Sequence, residues 1–251
     1  MSTWKKIAIG VVSLIVAGLA VSFIYAKFIN TPDKKLDQST VDSLLDATTT
    51  SSAAPATSGP GSTAAGTTAP ASTAPSAGVD GTWAAAADSI LGYRVKESIN
   101  GFDTEANGRT NSVTGSLTLQ GSTATAASFT VDMTTFKSDE GRRDGQFNGR
   151  IMDVATYPTA TFNLTAPIDF GSAPADGASI TASATGDLTL RGITKSVTFD
   201  LTATYKNGRI AVLGNIPVVF ADYGIPNPSI ATIVTEDHGL LEFVLLFDRA
   251  A

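Results

Sequence analysis

Few side chains in this sequence could perform covalent or acid–base chemistry. The 251 residues include no cysteine and one histidine, His238. Disulfides and thiolate sites are therefore excluded, and a Ser-His-Asp triad or a zinc site would have to be built around one imidazole. His238 follows Glu236 and Asp237, and neither a glycine-rich phosphate loop nor a metal-ligand spacing is evident. The sequence thus predicts a structural role for His238, no enzymatic activity and no cofactor.

Two adjacent arginines are the best candidates for a charged binding contact. Arg142 and Arg143 stand beside Asp144 in a stretch, residues 137–157, that is rich in charge and glycine and in which residues 142–148 are predicted to form a short helix. A planar guanidinium suits a phosphate or quinone oxygen, which would place a headgroup contact at the mouth of a cavity. The alternative is an Arg–Asp pair that pins the loop, and the pattern leaves both interpretations open.

The distribution of charge narrows the choice of partners. The formal net charge is −6 at pH 7, and residues 1–80 contain equal numbers of basic and acidic side chains, so the excess negative charge lies after position 80. Nucleic-acid affinity is dominated by Lys and Arg that neutralise phosphates. The acidic domain therefore argues against a nucleic-acid partner and against docking on anionic headgroups by charge.

The elements that must position these side chains are strands. Strict alternation of apolar and polar residues, which places one set of side chains on one face of a strand, recurs along the domain. The alternating runs are residues 91–95, 113–119, 129–134, 161–166, 187–191, 196–205, 210–218 and 241–247. About eight serial strands with short connections predict an antiparallel all-β barrel, with a β-sandwich as the alternative.

Turn and loop signals separate these runs. Asn207-Gly208 lies between two alternating runs and predicts a tight hairpin, as does Arg191-Gly192. Two irregular stretches interrupt the pattern, residues 137–157 and residues 222–233, the second of which contains two prolines. Irregular stretches of this length usually cap or gate something in a compact domain, and a purely structural plug remains the alternative.

The N-terminal third has a different organisation. Residues 1–6 are predicted to be cytoplasmic, and the apolar residues 7–28 to form a transmembrane anchor, because roughly 20 apolar residues cross a ~30 Å hydrocarbon core; a cleaved signal peptide is the alternative. Residues 29–80 are predicted to be a disordered linker, since most of them are Ala, Ser, Thr, Pro or Gly, with a transient helix at residues 36–45. Residues 81–251 then form one domain outside the cytoplasm.

Several motifs in one order resemble a known family. The sequence GDLTLRGITK at residues 186–195 is similar to the strand-turn-strand signature of the YceI-like family, and the following stretches fit the same family: residues 92–95, 131–134, 143–144, YPTATF at 157–162, 222–225 and 241–243. The resemblance covers roughly residues 82–249. It departs from the family at Lys96 and Glu97, where many members carry a histidine.

The resemblance implies a lipocalin-like, eight-stranded antiparallel β-barrel that binds a long isoprenoid chain, such as a polyprenyl phosphate or a quinone. Small side chains at inward positions would leave space for it: Gly115, Ala160, Ala166, Ala182, Ala184, Ala203 and Gly214. The predicted apolar lining is Tyr93, Phe129, Met133, Phe162, Phe199, Phe220 and Phe243, although each of these could equally be ordinary core. The predicted headgroup contacts are Arg142, Arg143 and Tyr223.

The combined prediction is a membrane-tethered extracytoplasmic protein that sequesters or carries a polyisoprenoid-type lipid. Its partners would be that lipid and, through the N-terminal anchor, the cytoplasmic membrane. The alternative function is a barrel filled by its own side chains that serves as a protein-interaction or structural module at the cell envelope.

Overall fold

A computed structural model of the chain describes residues 3–30, 32–47, 78–172 and 174–250. Its helices are α1 (Thr3–Ile24), α2 (Gln38–Ala47) and α3 (Gly141–Gln146). Short π-helical turns follow α1 and α3 at Tyr25–Ile29 and Phe147–Ile151, and 3-10 turns occur at Met133–Thr135 and Phe220–Tyr223. The predicted short helix at residues 142–148 overlaps α3 and the π turn after it.

Twelve strands make up the rest of the fold. They are β1 (Gly81–Ala85), β2 (Ile90–Ile99), β3 (Phe102–Thr110), β4 (Val113–Gln120), β5 (Thr123–Asp132), β6 (Thr159–Leu164), β7 (Ile168–Asp169), β8 (Ser179–Leu190), β9 (Ile193–Lys206), β10 (Arg209–Val219), β11 (Ile233–Thr235) and β12 (His238–Arg249).

The strands close into the predicted eight-stranded antiparallel barrel. Strand β1 pairs with β4 on one side and with β12 on the other, which completes the ring β1-β4-β5-β6-β8-β9-β10-β12. Strands β2 and β3 continue β1 and β4, since β2 pairs with β3 and with the first half of β12. Each strand of the ring is therefore hydrogen-bonded to another strand on both sides. This closure removes sheet edges and excludes the sandwich alternative.

Tight hairpins make the short connections possible. Asn207 and Gly208 both have positive φ, at 55° and 77°, as a type I′ turn requires. The predicted turn at Arg191-Gly192 has the same conformation, and so does Asn100-Gly101, which the sequence analysis did not single out. All three turns match the right-handed twist of the strands that they join.

The up-and-down topology gives the barrel two distinct ends. The end next to the C-terminus of α1, called the α1 end below, is formed by residues 100–101, 133–158, 191–192 and 220–237. The opposite end is formed by residues 121–122, 165–178 and 207–208. Both irregular stretches predicted from the sequence, residues 137–157 and 222–233, therefore lie at the α1 end.

Part of the predicted disordered linker, residues 29–80, is ordered in the structure. Residue 30 and residues 32–47, called the strap below, run along the outside of the barrel and include helix α2. Leu36, Val41 and Leu45 are almost fully buried against the outer faces of β10 and β12. The spacing of these side chains gives the strap an apolar face, which explains why it docks although its neighbours in sequence are polar. Residues 48–77 of the predicted linker lie outside the described residues.

Candidate functional site

The interior of the barrel contains a cavity of about 600 Å³. Its walls extend from Val79, Ser122 and Phe170 at the opposite end to Ile99 and Phe220 at the α1 end. Cavities of roughly 300–1,000 Å³ are typical of sites for small ligands. An eight-stranded barrel either fills with its own side chains or holds one small ligand, and this cavity has the size for a ligand.

The structure places all seven predicted lining residues on this cavity: Tyr93, Phe129, Met133, Phe162, Phe199, Phe220 and Phe243. Several of the rings touch one another, since Phe199 contacts both Phe162 and Phe243 edge to face at centroid distances of 5.6 and 5.9 Å. Their contact with a bound molecule remains a prediction.

Glycines on neighbouring strands allow the rings to lie along the barrel wall. A Cβ atom added at Gly214 would stand 2.3 Å from the ring of Phe243, and one added at Gly186 would stand 2.3 Å from the ring of Phe162. These distances are impossible for real side chains, so only glycine lets each ring occupy that position. Rings folded against the wall leave the axis of the barrel open.

The alanines predicted to face inward have three different placements. Ala160, Ala184 and Ala203 line the cavity, as the alternation predicts. Ala182 packs against the core cluster without being among the lining residues. Ala166 is exposed, so its assignment to the interior was wrong. It lies two residues beyond the end of β6, so the alternation of that strand no longer applies to it.

A lid covers the α1 end of the cavity. Phe147, in the π turn after α3, stacks on Tyr93 with the two rings 4.7 Å apart and nearly parallel. Phe136 contacts both of these rings, at 5.0 Å from Phe147 and 6.0 Å from Tyr93. Burial raises the pKa of Tyr93 above its ordinary value, so its phenol stays protonated. The predicted irregular stretch therefore caps one end of the barrel with aromatic side chains.

Polar side chains gather under this lid, around Arg143. Its guanidinium forms an ion pair with Asp139, lies 3.7 Å from Glu97, and donates a hydrogen bond of 3.1 Å to the Asn30 side-chain oxygen. Asp144 instead accepts hydrogen bonds from Ser138. The predicted Arg–Asp pair thus exists with a different aspartate, since Asp139 lies one helical turn before Arg143 and Asp144 is turned towards Ser138.

Glu97 is the functional candidate that the sequence analysis missed. Its side chain is 8% exposed and lines the cavity, and its burial raises the pKa of the carboxyl, an effect opposed by Arg143. The sequence contained a signal for this placement. Glu97 lies two residues after Val95 and four after Tyr93 on β2, so the alternation of side chains directs all three to the inner face.

The two remaining predicted headgroup residues have different placements. Arg142 is exposed on α3 and lines the rim of the cavity, beside Glu140, whose carboxylate caps that helix. Tyr223 is 3% exposed and packs into the core cluster, but it is not among the cavity-lining residues. The structure therefore brings Arg142 and Arg143 to the mouth and does not bring Tyr223 there, because the 3-10 turn after β10 directs its ring into the core.

His238 lies outside the cavity. It is half exposed at the start of β12, where its ring nitrogens contact Asp237 at 2.8 Å and Glu236 at 3.2 Å. Within residues 3–30, 32–47, 78–172 and 174–250, no group of three or more His, Cys, Asp or Glu side chains could hold a metal ion. These contacts fit the predicted structural role of His238.

A closed antiparallel barrel around an apolar cavity, with polar groups at one mouth, is the architecture of the class of β-barrels whose interior has room for one small ligand. Comparison with known proteins gives the family. The YceI-like domain model matches residues 84–246. The chain therefore belongs to the YceI-like domain family, as the motifs of the sequence indicate.

Individual relatives agree with this assignment. The chain is 31% identical over 103 residues to UPF0312 proteins of Vibrio campbellii and Vibrio parahaemolyticus, a match that covers 38% of this chain and 51% of each relative. The chain thus spans about half the length of these curated relatives. A polyisoprenoid binding domain from Saccharophagus degradans, implicated in plant cell wall breakdown, superposes with a TM-score of 0.55 at 19% identity, covering 67% of this chain and 98% of that domain. At this identity the likeness concerns the fold.

The N-terminal helix has the length and composition of a membrane span. One helix, with a span at Ile9–Lys27, is long and apolar enough to cross a bilayer among the described residues. Most of the large apolar side chains of this helix are exposed and do not pack against the barrel. A membrane anchor and a signal sequence both have these properties.

Proposed function

We propose that the protein binds a polyisoprenoid-type lipid inside its barrel and holds or carries it at a membrane. The observation that carries the proposal is the cavity of about 600 Å³ in a YceI-like barrel. The polyisoprenoid binding of the Saccharophagus degradans relative supports the same class of ligand. The protein acts in this proposal as a binding protein and not as an enzyme.

The polar mouth favours an uncharged headgroup over a phosphate. Arg143 already has two carboxylate neighbours, Asp139 and Glu97, and Glu140 adds a third negative charge at the same rim. A phosphate brought there would have to compete with these carboxylates and would be repelled by them. A quinone carbonyl oxygen accepts a hydrogen bond from a guanidinium such as that of Arg143 and adds no further charge to this cluster. We therefore propose a quinone-type head in preference to a polyprenyl phosphate.

We also propose that the N-terminal helix is an uncleaved anchor that places the barrel on the outer side of the cytoplasmic membrane. Lys5 and Lys6 precede the span, as expected for a cytoplasmic N-terminus. A tether suits this function because the bilayer is the source of a lipid ligand.

Ligand uptake by the full chain in detergent tests the proposal. We expect a long-chain quinone to bind and to shift the mass of the intact protein in native mass spectrometry, and a polyprenyl phosphate of equal chain length to bind more weakly. Tighter binding of the phosphate would contradict the assignment of the headgroup. Failure of both to bind would contradict lipid binding itself and would support the alternative of an interaction module.

A further inference from the structure

The end of the N-terminal helix contacts the barrel directly. Asn100, in the turn between β2 and β3, donates a hydrogen bond of 2.6 Å to the hydroxyl of Ser22. The rings of Phe23 and Phe102 meet edge to face with centroids 5.3 Å apart. Tyr25, in the π turn that follows α1, lines the cavity itself. The mouth of the cavity therefore lies against the last turns of the helix.

These contacts fix the depth of the barrel relative to a bilayer. Ser22, Phe23 and Tyr25 all fall within the candidate span Ile9–Lys27. Barrel residues that touch them must lie level with the end of the span, at the boundary between hydrocarbon and headgroups. A barrel on a free spacer would have no such fixed position.

The exposed apolar side chains of the barrel point to the same end. Among the described residues after position 77, the exposed large apolar side chains are Ile193, Val219, Ile230 and Val234. All four belong to the α1 end: Ile193 begins β9, Val219 ends β10, and Val234 pairs with Ser98 near the end of β2. Exposed apolar side chains at the barrel end that also contacts an apolar helix are the kind of surface expected to meet lipid.

The strap holds the barrel in this orientation. Asn30 donates hydrogen bonds to the Thr104 hydroxyl at 2.7 Å and to the Glu105 carbonyl at 3.2 Å, and it accepts one from Arg143 of the lid. Asp33 exchanges two hydrogen bonds with the side chain of Asn107, at 3.1 and 3.2 Å. Helix α2 then buries its apolar face on the barrel wall. The chain that leaves the helix is thus attached to the barrel within a few residues.

We propose that the α1 end is a membrane-docking surface whose occupant is the lipid bilayer, and that the strap keeps the mouth of the cavity in the headgroup layer. The lipid then passes between bilayer and cavity at this end, without crossing water. This inference rests on the proposed function, because it requires the helix to be an anchor and the cavity to take a lipid. The contact is apolar and does not depend on anionic headgroups, in keeping with the acidic domain.

Single-cysteine labelling of the full chain tests this docking, because the chain has no cysteine of its own. Val234→Cys, carrying an environment-sensitive fluorophore, would be measured in phosphatidylcholine vesicles with nitroxide-labelled lipid as quencher. Ala126→Cys is the matched control, since Ala126 is exposed on β5 near the opposite end. We expect several-fold stronger quenching at position 234 than at position 126. If Val234→Cys does not fold, Ile230→Cys replaces it.

The outcomes separate this inference from the function on which it rests. Equal quenching at the two positions in chains that co-sediment with vesicles would overturn the docking surface and leave the anchor intact. A chain that does not co-sediment at all would instead contradict the anchor. In detergent, without vesicles, the fluorophore at position 234 could become shielded from water as the protein concentration rises. That result would assign the surface to a second copy of the chain and so overturn the proposal.

A strap variant provides the second measurement. Val41→Asp together with Leu45→Asp places two charges in the apolar contact of α2 and is expected to release the strap while the barrel keeps its β-type circular dichroism. Quenching at position 234 should then fall towards that at position 126. Unchanged quenching in the released variant would contradict the holding function of the strap.

Discussion

The two faces of strand β12 are both buried, but by different means. On the inner face Phe243, Leu245 and Phe247 line the cavity. On the outer face Val244 and Leu246 are covered by helix α2 of the chain itself. The outer face of β12 is thus covered by another part of the chain, whereas its inner face borders the cavity.

The outer face of β12 also buries a charged side chain. Glu242, on the outer face of β12, is fully buried and lies 3.2 Å from Arg94 and 3.5 Å from Arg109. Arg94 also donates a hydrogen bond of 2.7 Å to the carbonyl of Asp33 in the strap. A buried charge is tolerated only where partners surround it, and here the outer face supplies them. The inner face of β12 instead borders the cavity.

The largest expected effect concerns the outer face. Glu242→Ala leaves Arg94 and Arg109 without their buried carboxylate and should cost about 3–5 kcal/mol of unfolding free energy. Urea unfolding followed by circular dichroism measures this loss. The double variant Arg94→Met with Glu242→Leu is the control, and it should recover most of the stability. If Glu242→Ala is as stable as the natural chain, the ion pair is accessible to water and not buried.

Removal of an apolar contact of the strap should have a smaller and more local effect. Leu45→Ala is expected to cost about 2–3 kcal/mol of the docking free energy of α2. Faster amide hydrogen exchange in Gln38–Ala47, with unchanged exchange in the barrel strands, would report this local opening. Ser43→Ala, on the exposed side of the helix, is the matched control. Equal exchange in both variants would mean that α2 is not held by its apolar face.

On the inner face, filling the cavity should remove binding with little loss of fold. Ala184→Trp adds a large ring at a buried cavity position and should weaken uptake of a long-chain quinone at least about tenfold, or ~1.4 kcal/mol. Circular dichroism and thermal unfolding check that the larger side chain does not disrupt the fold. The control is Ala126→Trp on the outer surface, which should bind normally. Full binding by the Ala184 variant would place the ligand elsewhere.

The smallest effect concerns an ion pair near the end of the outer face. The hydrogen bond from Arg209 lowers the pKa of Asp88 in the folded protein below its ordinary value. The ion pair therefore stabilises the fold fully when the pH is above the pKa that Asp88 has in the unfolded chain. This stabilisation is lost as the pH falls through the lower pKa of the folded state. The Asp88 side chain is partly exposed, so Asp88→Asn should cost less than about 1 kcal/mol at neutral pH. Urea unfolding at neutral and at acidic pH should show this difference disappearing in acid. A difference that persists in acid would contradict the assignment.

The inner face was predictable from sequence, and most of the outer face was not. Alternation placed Phe243 and Phe199 inward, and a two-residue period can do this without knowledge of the fold. A transient helix was predicted at residues 36–45, which overlaps α2. Its docking on the barrel was missed, because the few apolar residues of the strap stand between a long apolar helix and a long low-complexity stretch. A signal for it existed in β12, where residues 243–247 are apolar without interruption, since such a run indicates a strand buried on both faces. The partners of Arg94 come from distant parts of the chain, and no local pattern reveals them.

The most direct test of the account is the lipid content of the protein itself. The full chain would be purified in detergent from membranes of the cells that produce it, and its bound molecules would be extracted and analysed by mass spectrometry, with Ala184→Trp as the parallel sample. The account predicts a species with an isoprenoid chain that co-purifies with the natural protein and is depleted in the variant. A natural protein that carries no such lipid, and that takes up no added quinone or polyprenyl phosphate, would contradict lipid binding in the barrel.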